Sequence, residues 1–210
     1  MNKGKFIVVE SINSSIRKHV ASSICKENPK NYLFIKKREI VCNDVAIAEI
    51  QKKLAELMWP HNDNEIGKEL PFQYWLHLQV CWYSLRTKFD VNPILSENIS
   101  VIVDSWYYSF LAKSLIGGMN KDYLIETFKH ISMADQVILI LVTDFEQLWK
   151  DNVVEIKPSK FGVHQGYVDE SKETFLKYHM DLQNQLLKIA DEYHWLIIPQ
   201  NELKSKHFNL

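Results

Sequence analysis

The segment Phe6-Ile7-Val8-Val9-Glu10-Ser11-Ile12-Asn13-Ser14-Ser15-Ile16-Arg17-Lys18 constrains this chain more than any other. A short apolar run, rich in β-branched residues, leads into a polar turn and then a stretch that suits a helix. This is the profile of a central parallel strand buried on both faces. The turn that follows is where a phosphate-binding loop would sit. Such a loop needs glycines, so that successive backbone N–H groups curl around phosphate without Cβ clashes. It also needs Lys followed by Ser or Thr, for the phosphates and Mg²⁺. The segment contains no glycine, and Arg17-Lys18 stands where Lys-Ser/Thr belongs. Read alone, it equally suits an ordinary β–α turn in which Asn13, Ser14 or Ser15 caps the helix. Anion binding at that helix N-terminus, helped by Arg17 or Lys18, stays open.

The same alternation of short apolar runs and helical stretches continues along the chain. Strands are expected at Tyr32 to Ile35, Ile99 to Val103, Gln136 to Val142 and Trp195 to Ile198. Helices are expected from Arg17 to Glu27, from an Asn43 cap to Met58, and from Phe72 to about Phe89. Others run from about Tyr108 to Ile116, over Asp122 to His130, and from Ser171 to Tyr193, with a helical turn at Phe145 to Asp151. Trp59-Pro60 stops the second helix, and His61 to Glu69 reads as a polar loop. Asn152 to Val168 has no clear period and also reads as a loop. The pattern implies an α/β domain with a mainly parallel sheet of about five strands. Ligands in such folds bind at the carboxyl ends of the strands. That singles out the loop after Val9 and Asp104 after Val103.

At 210 residues and 46% hydrophobic composition the chain can bury a substantial core. A net charge of −1 gives no global field for nucleic acid or an anionic membrane. The Lys36-Lys37-Arg38 run reads as a solvated strand end. Cys25, Cys42 and Cys81 are odd in number and lack a CxxC pair, so they read as reduced core thiols in a cytoplasmic protein. No metal site is expected, because the histidines are scattered. No signal peptide is expected, and Val137 to Val142 is too short to span a bilayer. His77 and His164 read as structural or exposed. The aromatic helix Phe72, Tyr74, Trp75, Trp82, Tyr83 suits core or dimer packing more than base stacking.

Taken together, these residues resemble thymidylate kinase, a P-loop nucleoside monophosphate kinase, over nearly the whole chain. Lys3 to Glu10 resembles that family's opening strand, usually followed by Gly-x-Asp-Gly-x-Gly-Lys-Ser/Thr. Ser11, Asn13, Ser14, Ile16, Arg17 and Lys18 fall at the named positions. Val101 to Ala112 resembles the family's Asp-Arg-Tyr segment and the Ser-x-Leu-Ala stretch after it, with Ser105 in place of the arginine. Ala134-Asp135 resembles the Pro-Asp before the next strand. The resemblance implies a three-layer α/β/α P-loop NTPase-like fold over residues 1–210, with 152–168 as the lid. The lid offers Lys157 and Lys160 and no arginine. The family's substrate-phosphate arginine falls at Tyr83, with Arg86 one helical turn away.

Phosphoryl transfer rests on positioning and charge stabilisation, and the departures lie where that chemistry is done. The resemblance therefore implies a pseudokinase that binds a nucleotide or nucleoside-like ligand, or a partner, as a homodimer. Asn13, Trp75, Tyr83, Arg86, Asp104 and Tyr108 would form its acceptor-side cleft. Asn13, Ser14, Ser15, Arg17 and Lys18 would line the former cofactor loop, with no cofactor required. One alternative is an active dTMP-kinase-like phosphotransferase using Mg-ATP, with Arg17 and Asp104 as catalytic groups. Another is a scaffold subunit without a ligand.

Overall fold

Five parallel strands form one sheet in the order β2-β3-β1-β4-β5. They are β1 (Phe6–Glu10), β2 (Tyr32–Ile35), β3 (Ser100–Val103), β4 (Gln136–Leu141) and β5 (Leu196–Pro199). The computed structural model describes residues 4–59, 69–153 and 158–205. Among these, every strand pair is parallel. The stretch from Pro60 to Lys68 and the lid residue Lys157 lie outside the described residues.

β1 is central, and each of its five residues is buried. Its two faces belong to different cores. Ile7 and Val9 meet Val20, Ala21 and Ile24 of α1 (Ser14–Glu27). Phe6 and Val8 belong to the larger core on the other face. That core takes side chains from α3 (Phe72–Arg86), α5 (Tyr108–Ile116) and α8 (Lys172–Glu192). The arrangement is therefore three layers, helix–sheet–helix. Among the described residues the remaining α-helices are α2 (Val45–Met58), α4 (Asn92–Ser96), α6 (Lys121–Phe128) and α7 (Phe145–Asn152).

Several element ends differ from the expected ones, each for a local reason. α1 begins at Ser14 because the Asn13 side chain accepts the N–H groups of Ser15 and Ile16. Asp44, not Asn43, caps α2 by accepting the Ile47 N–H. α3 ends at Arg86 and runs into a π-helical turn, Thr87–Val91, before α4. The expected loop at 152–168 contains two 3₁₀ turns, Pro158–Lys160 and Val163–Gln165. Cys81 is exposed and Cys25 and Cys42 are half-buried, so none of the three is core filler.

The lid turns are held against α8 through Gly162. Its φ is +75°, and a Cβ there would meet the buried Tyr178 ring at 2.5 Å. Gly166 has φ +89° but open space around it. Gly162→Ala is expected to cost about 2–3 kcal/mol, combining left-handed strain with a clash, against about 1 kcal/mol for Gly166→Ala. Urea denaturation of the two variants measures the difference.

Candidate functional site

The carboxyl ends of β1, β2 and β3 open into a cavity of about 840 Å³. The chain leaves β1 toward β2 and β3 on one side of the sheet and returns to β4 and β5 on the other, so the cavity lies by the topological switch point. Residues after β1 (Ser11, Ile12, Ser14, Arg17, Lys18) form one wall, and Lys36 to Glu39 after β2 form another. Lys113 of α5, the Pro158–Lys160 turn and Tyr178 and His179 of α8 close it.

The β1–α1 turn does not form an anion cradle. Such a cradle alternates right- and left-handed backbone. The positive-φ residues among those described do not include any from Glu10 to Lys18. Two of the helix's N-terminal donors are also engaged. Asn13 Oδ1 accepts from Ser15 N at 3.0 Å and Ile16 N at 3.3 Å. The Arg17 guanidinium turns back and donates to the Ser11 carbonyl. Ser14 and Lys18 line the cavity, while Ser15 is exposed.

Beneath the turn lies Glu10, fully buried. Its carboxylate accepts from Trp106 N at 2.8 Å, Ser105 Oγ at 3.2 Å and Ser109 Oγ at 2.6 Å. Ser105 holds a left-handed φ of 104° to do this. Asp104 faces the cavity but is buried, and its Oδ1 accepts the Lys37 backbone N–H. Arg86 donates from Nη1 to the Lys37 carbonyl at 2.7 Å. Asp104 and Arg86 thus grip the Lys37 peptide from both ends, and the residue that reads as a solvated strand end lines the cavity.

Arg86 itself is fully buried and paired with Asp90 at 3.1 Å, where Gln51 Nε2 also donates to Asp90. The π-helical turn after α3 carries Asp90 to this pairing position. Tyr83 is buried and donates to the Trp106 carbonyl at 3.1 Å. Tyr108 is buried, its hydroxyl accepting the Ala134 N–H at 3.0 Å. Burial pushes the Tyr108 hydroxyl up to about 12. Of the six residues expected in the acceptor cleft, Trp75 and Asp104 line the cavity. Asn13 caps α1, and Tyr83, Arg86 and Tyr108 serve the packing around it.

Two aromatic residues add a flat wall. Phe72 stacks on Phe110 with centroids 5.2 Å apart, and Trp75 lies 6.0 Å from the His164 ring. Trp75 Nε1 and Gln79 Oε1 are buried without a hydrogen-bond partner among the described residues.

The strongest electrostatic feature is a cluster of cations drawn from four separate elements. Burial, then the Arg17 charge, lowers the Lys37 amine to about 7. Burial, then Lys160 and Arg17, lowers Lys113 to about 8. Burial, then Arg17 and Arg38, lowers Lys160 to about 8. Burial and then Lys113 lower His164. Burial holds His179 neutral, at about 3, with Nδ1 donating to the Phe175 carbonyl at 2.9 Å. Among the described residues none of these lysines forms an ion pair. Sequence reasoning missed Lys37, Lys113 and Gln79, and the position of Lys113 one helical turn past Ser109 was the available signal. Among the described residues no group of His, Cys, Asp or Glu could hold a metal ion.

Comparison by sequence finds no matching family model and no matching curated protein. Comparison of structures does find matches. One is thymidylate kinase from Candida albicans, with 18% identity, 94% of this chain and 84% of that chain covered, and a TM-score of 0.61. The chain therefore has a thymidylate-kinase-like P-loop kinase fold. No helix among the described residues is long and apolar enough to cross a membrane.

Asp90→Ala leaves the Arg86 charge buried and unpaired, which is expected to cost about 3–5 kcal/mol in chemical denaturation. A lowered pKa means an amine that is neutral sooner as pH rises. At pH 7.5 Lys37 is roughly three-quarters neutral, against roughly 0.1% for a lysine of ordinary pKa. Acetic anhydride at limiting dose is therefore expected to label Lys37 ahead of exposed lysines, with half-maximal labelling near neutral pH, read by peptide mass spectrometry.

Proposed function

We propose that this chain is a catalytically impaired thymidylate-kinase-like protein that binds a phosphorylated, nucleotide-like small molecule in the cationic cavity. One observation carries the reading. The Ser15 and Ile16 N–H groups of α1 are spent on Asn13, while the lysines Lys37, Lys113 and Lys160, without an ion pair among the described residues, face the same cavity as Arg17. The fold has lost its usual phosphate cradle and kept an environment that needs an anion.

Each group then has a role. Arg17 and Lys37 take the phosphate, and the grip of Asp104 and Arg86 on the Lys37 peptide presets its direction. Trp75 and Phe72 flank a planar ring. Trp75 Nε1 as donor and Gln79 Oε1 as acceptor suit a base edge that offers both a carbonyl and an N–H. Catalysis would require a positioned triphosphate, and the β1–α1 turn lacks the backbone for one.

An active phosphotransferase is the second reading, favoured by Lys113 and Lys160, which could neutralise a transferred phosphoryl group. Homodimer formation is proposed through α2 and α3. Ile50 and Leu57 are exposed on α2, and Cys81 on α3.

The test is thermal stabilisation by dTMP, dUMP and AMP, alongside assay of phosphoryl transfer from Mg-ATP. At least one monophosphate is expected to raise the Tm by several degrees, and no transfer is expected. Arg17→Ala or Lys37→Ala should lower monophosphate affinity roughly tenfold or more, the scale of a lost charge-assisted contact. Turnover that Asp104→Ala abolishes would establish the active enzyme instead. No shift with any nucleotide would favour a scaffold.

A further inference from the structure

We infer that the cavity takes a ligand with two or more linked phosphates stripped of Mg²⁺, the lysines standing in for the metal ion. This rests on the reading of the cavity as a phosphorylated-ligand site and narrows it.

The charge inventory is the first argument. Seven lysine and arginine side chains line the cavity against two carboxylates, Glu39 and Asp104. Arg17, Lys37, Lys113 and Lys160 come from α1, the end of β2, α5 and the lid turn. Each amine of the three is weakened by the charge of Arg17. Four basic groups from four elements therefore face one cavity, and burial and mutual repulsion leave the three amines easily neutralised without an anion beside them. With all four protonated, a single phosphate carries too little charge to balance them, whereas a metal-free di- or triphosphate carries three or four negative charges and would hold the protons on the amines.

The carboxylates are the second argument. Mg²⁺ in phosphate sites is held by one or two carboxylates together with the phosphates. Here Glu10 gives its oxygens to Ser105, Trp106 and Ser109. Asp104 gives Oδ1 to the Lys37 backbone. A divalent cation among unpaired lysines would raise the local positive charge, and Mg²⁺ bound to the ligand would cancel the charge the lysines recognise.

The geometry supplies the third argument. The cavity holds about 840 Å³, within the range of small-ligand sites. Lys113 and Lys160 line the same cavity as Phe72 and Trp75, and Lys113 follows Phe110, the ring on which Phe72 stacks, by about one helical turn, so a phosphate chain on a group held by the aromatic rings is within the cavity's reach of both amines.

Titration calorimetry of the full chain at constant ionic strength tests this. The probes are inorganic tripolyphosphate, ATP and dTMP, each in EDTA and in excess Mg²⁺. Tripolyphosphate or ATP is expected to bind in EDTA and to weaken at least tenfold in Mg²⁺, with dTMP changed less than twofold. ATP binding more tightly than tripolyphosphate identifies a nucleotide as the source of the phosphates, and the reverse identifies an inorganic chain. Lys113→Met and Lys160→Met should each weaken tripolyphosphate binding at least fivefold in EDTA. Lys113→Arg should retain binding, which separates lost charge from lost folding. Binding strengthened by Mg²⁺ overturns the inference. So does dTMP binding without any polyphosphate binding in EDTA, which leaves the proposed function standing. If no probe binds, both fall.

Discussion

The buried carboxylate of Glu10 is the interaction on which the site depends. It ends the central strand and has no contact with solvent. A bare carboxylate there would be costly, so it must collect donors. It does so from Ser105, Trp106 and Ser109, and in this way ties the end of β1 to the start of α5. The tie sets where Lys113 emerges. The same negative charge raises Lys37 and Lys113, partly opposing the burial and repulsion that lower them. One buried anion thus organises two loops and keeps a crowded set of cations tolerable.

Around that anchor the cavity presents basic side chains where a phosphate-binding loop would present backbone N–H groups. A glycine-rich cradle binds with N–H groups and needs no charge of its own. Here Asn13 satisfies those N–H groups internally. The basic groups facing the cavity are Arg17, Lys37, Lys113 and Lys160, and the charge of the three lysines depends on burial and on their neighbours. Lysines bind phosphate as mobile point charges, without the planar fork that arginine offers. That suits holding an anion better than orienting a phosphoryl group for in-line attack.

The fold was largely legible in the sequence, and the site was half legible. The runs Phe6 to Val9 and Gln136 to Val142 announce buried parallel strands, and both are. The glycine-free turn reads as a helix cap, and Asn13 is one. Lys36-Lys37-Arg38 looks like a solvated strand end because the sequence cannot show that Asp104 and Arg86 seize the Lys37 peptide. Tyr83, Arg86 and Tyr108 carry reactive-looking groups, yet each is engaged inside the packing. Asp90 stands four residues after Arg86, a spacing visible in the sequence, but the partners Trp106 and Ala134 are invisible to periodicity, since those contacts depend on how the elements dock.

The sequence by itself determined the parallel sheet and the absence of glycine from the turn after β1. These are local properties, carried by β-branched runs, by backbone freedom and by composition. Only the tertiary structure decided that basic side chains from four elements converge on one cavity and that two expected site residues, Asp104 and Arg86, clamp Lys37, which was not expected there. Such convergence is a matter of distance between residues far apart in the chain. Charge repulsion among Lys37, Lys113, Lys160 and Arg17 has no counterpart in their spacing along it.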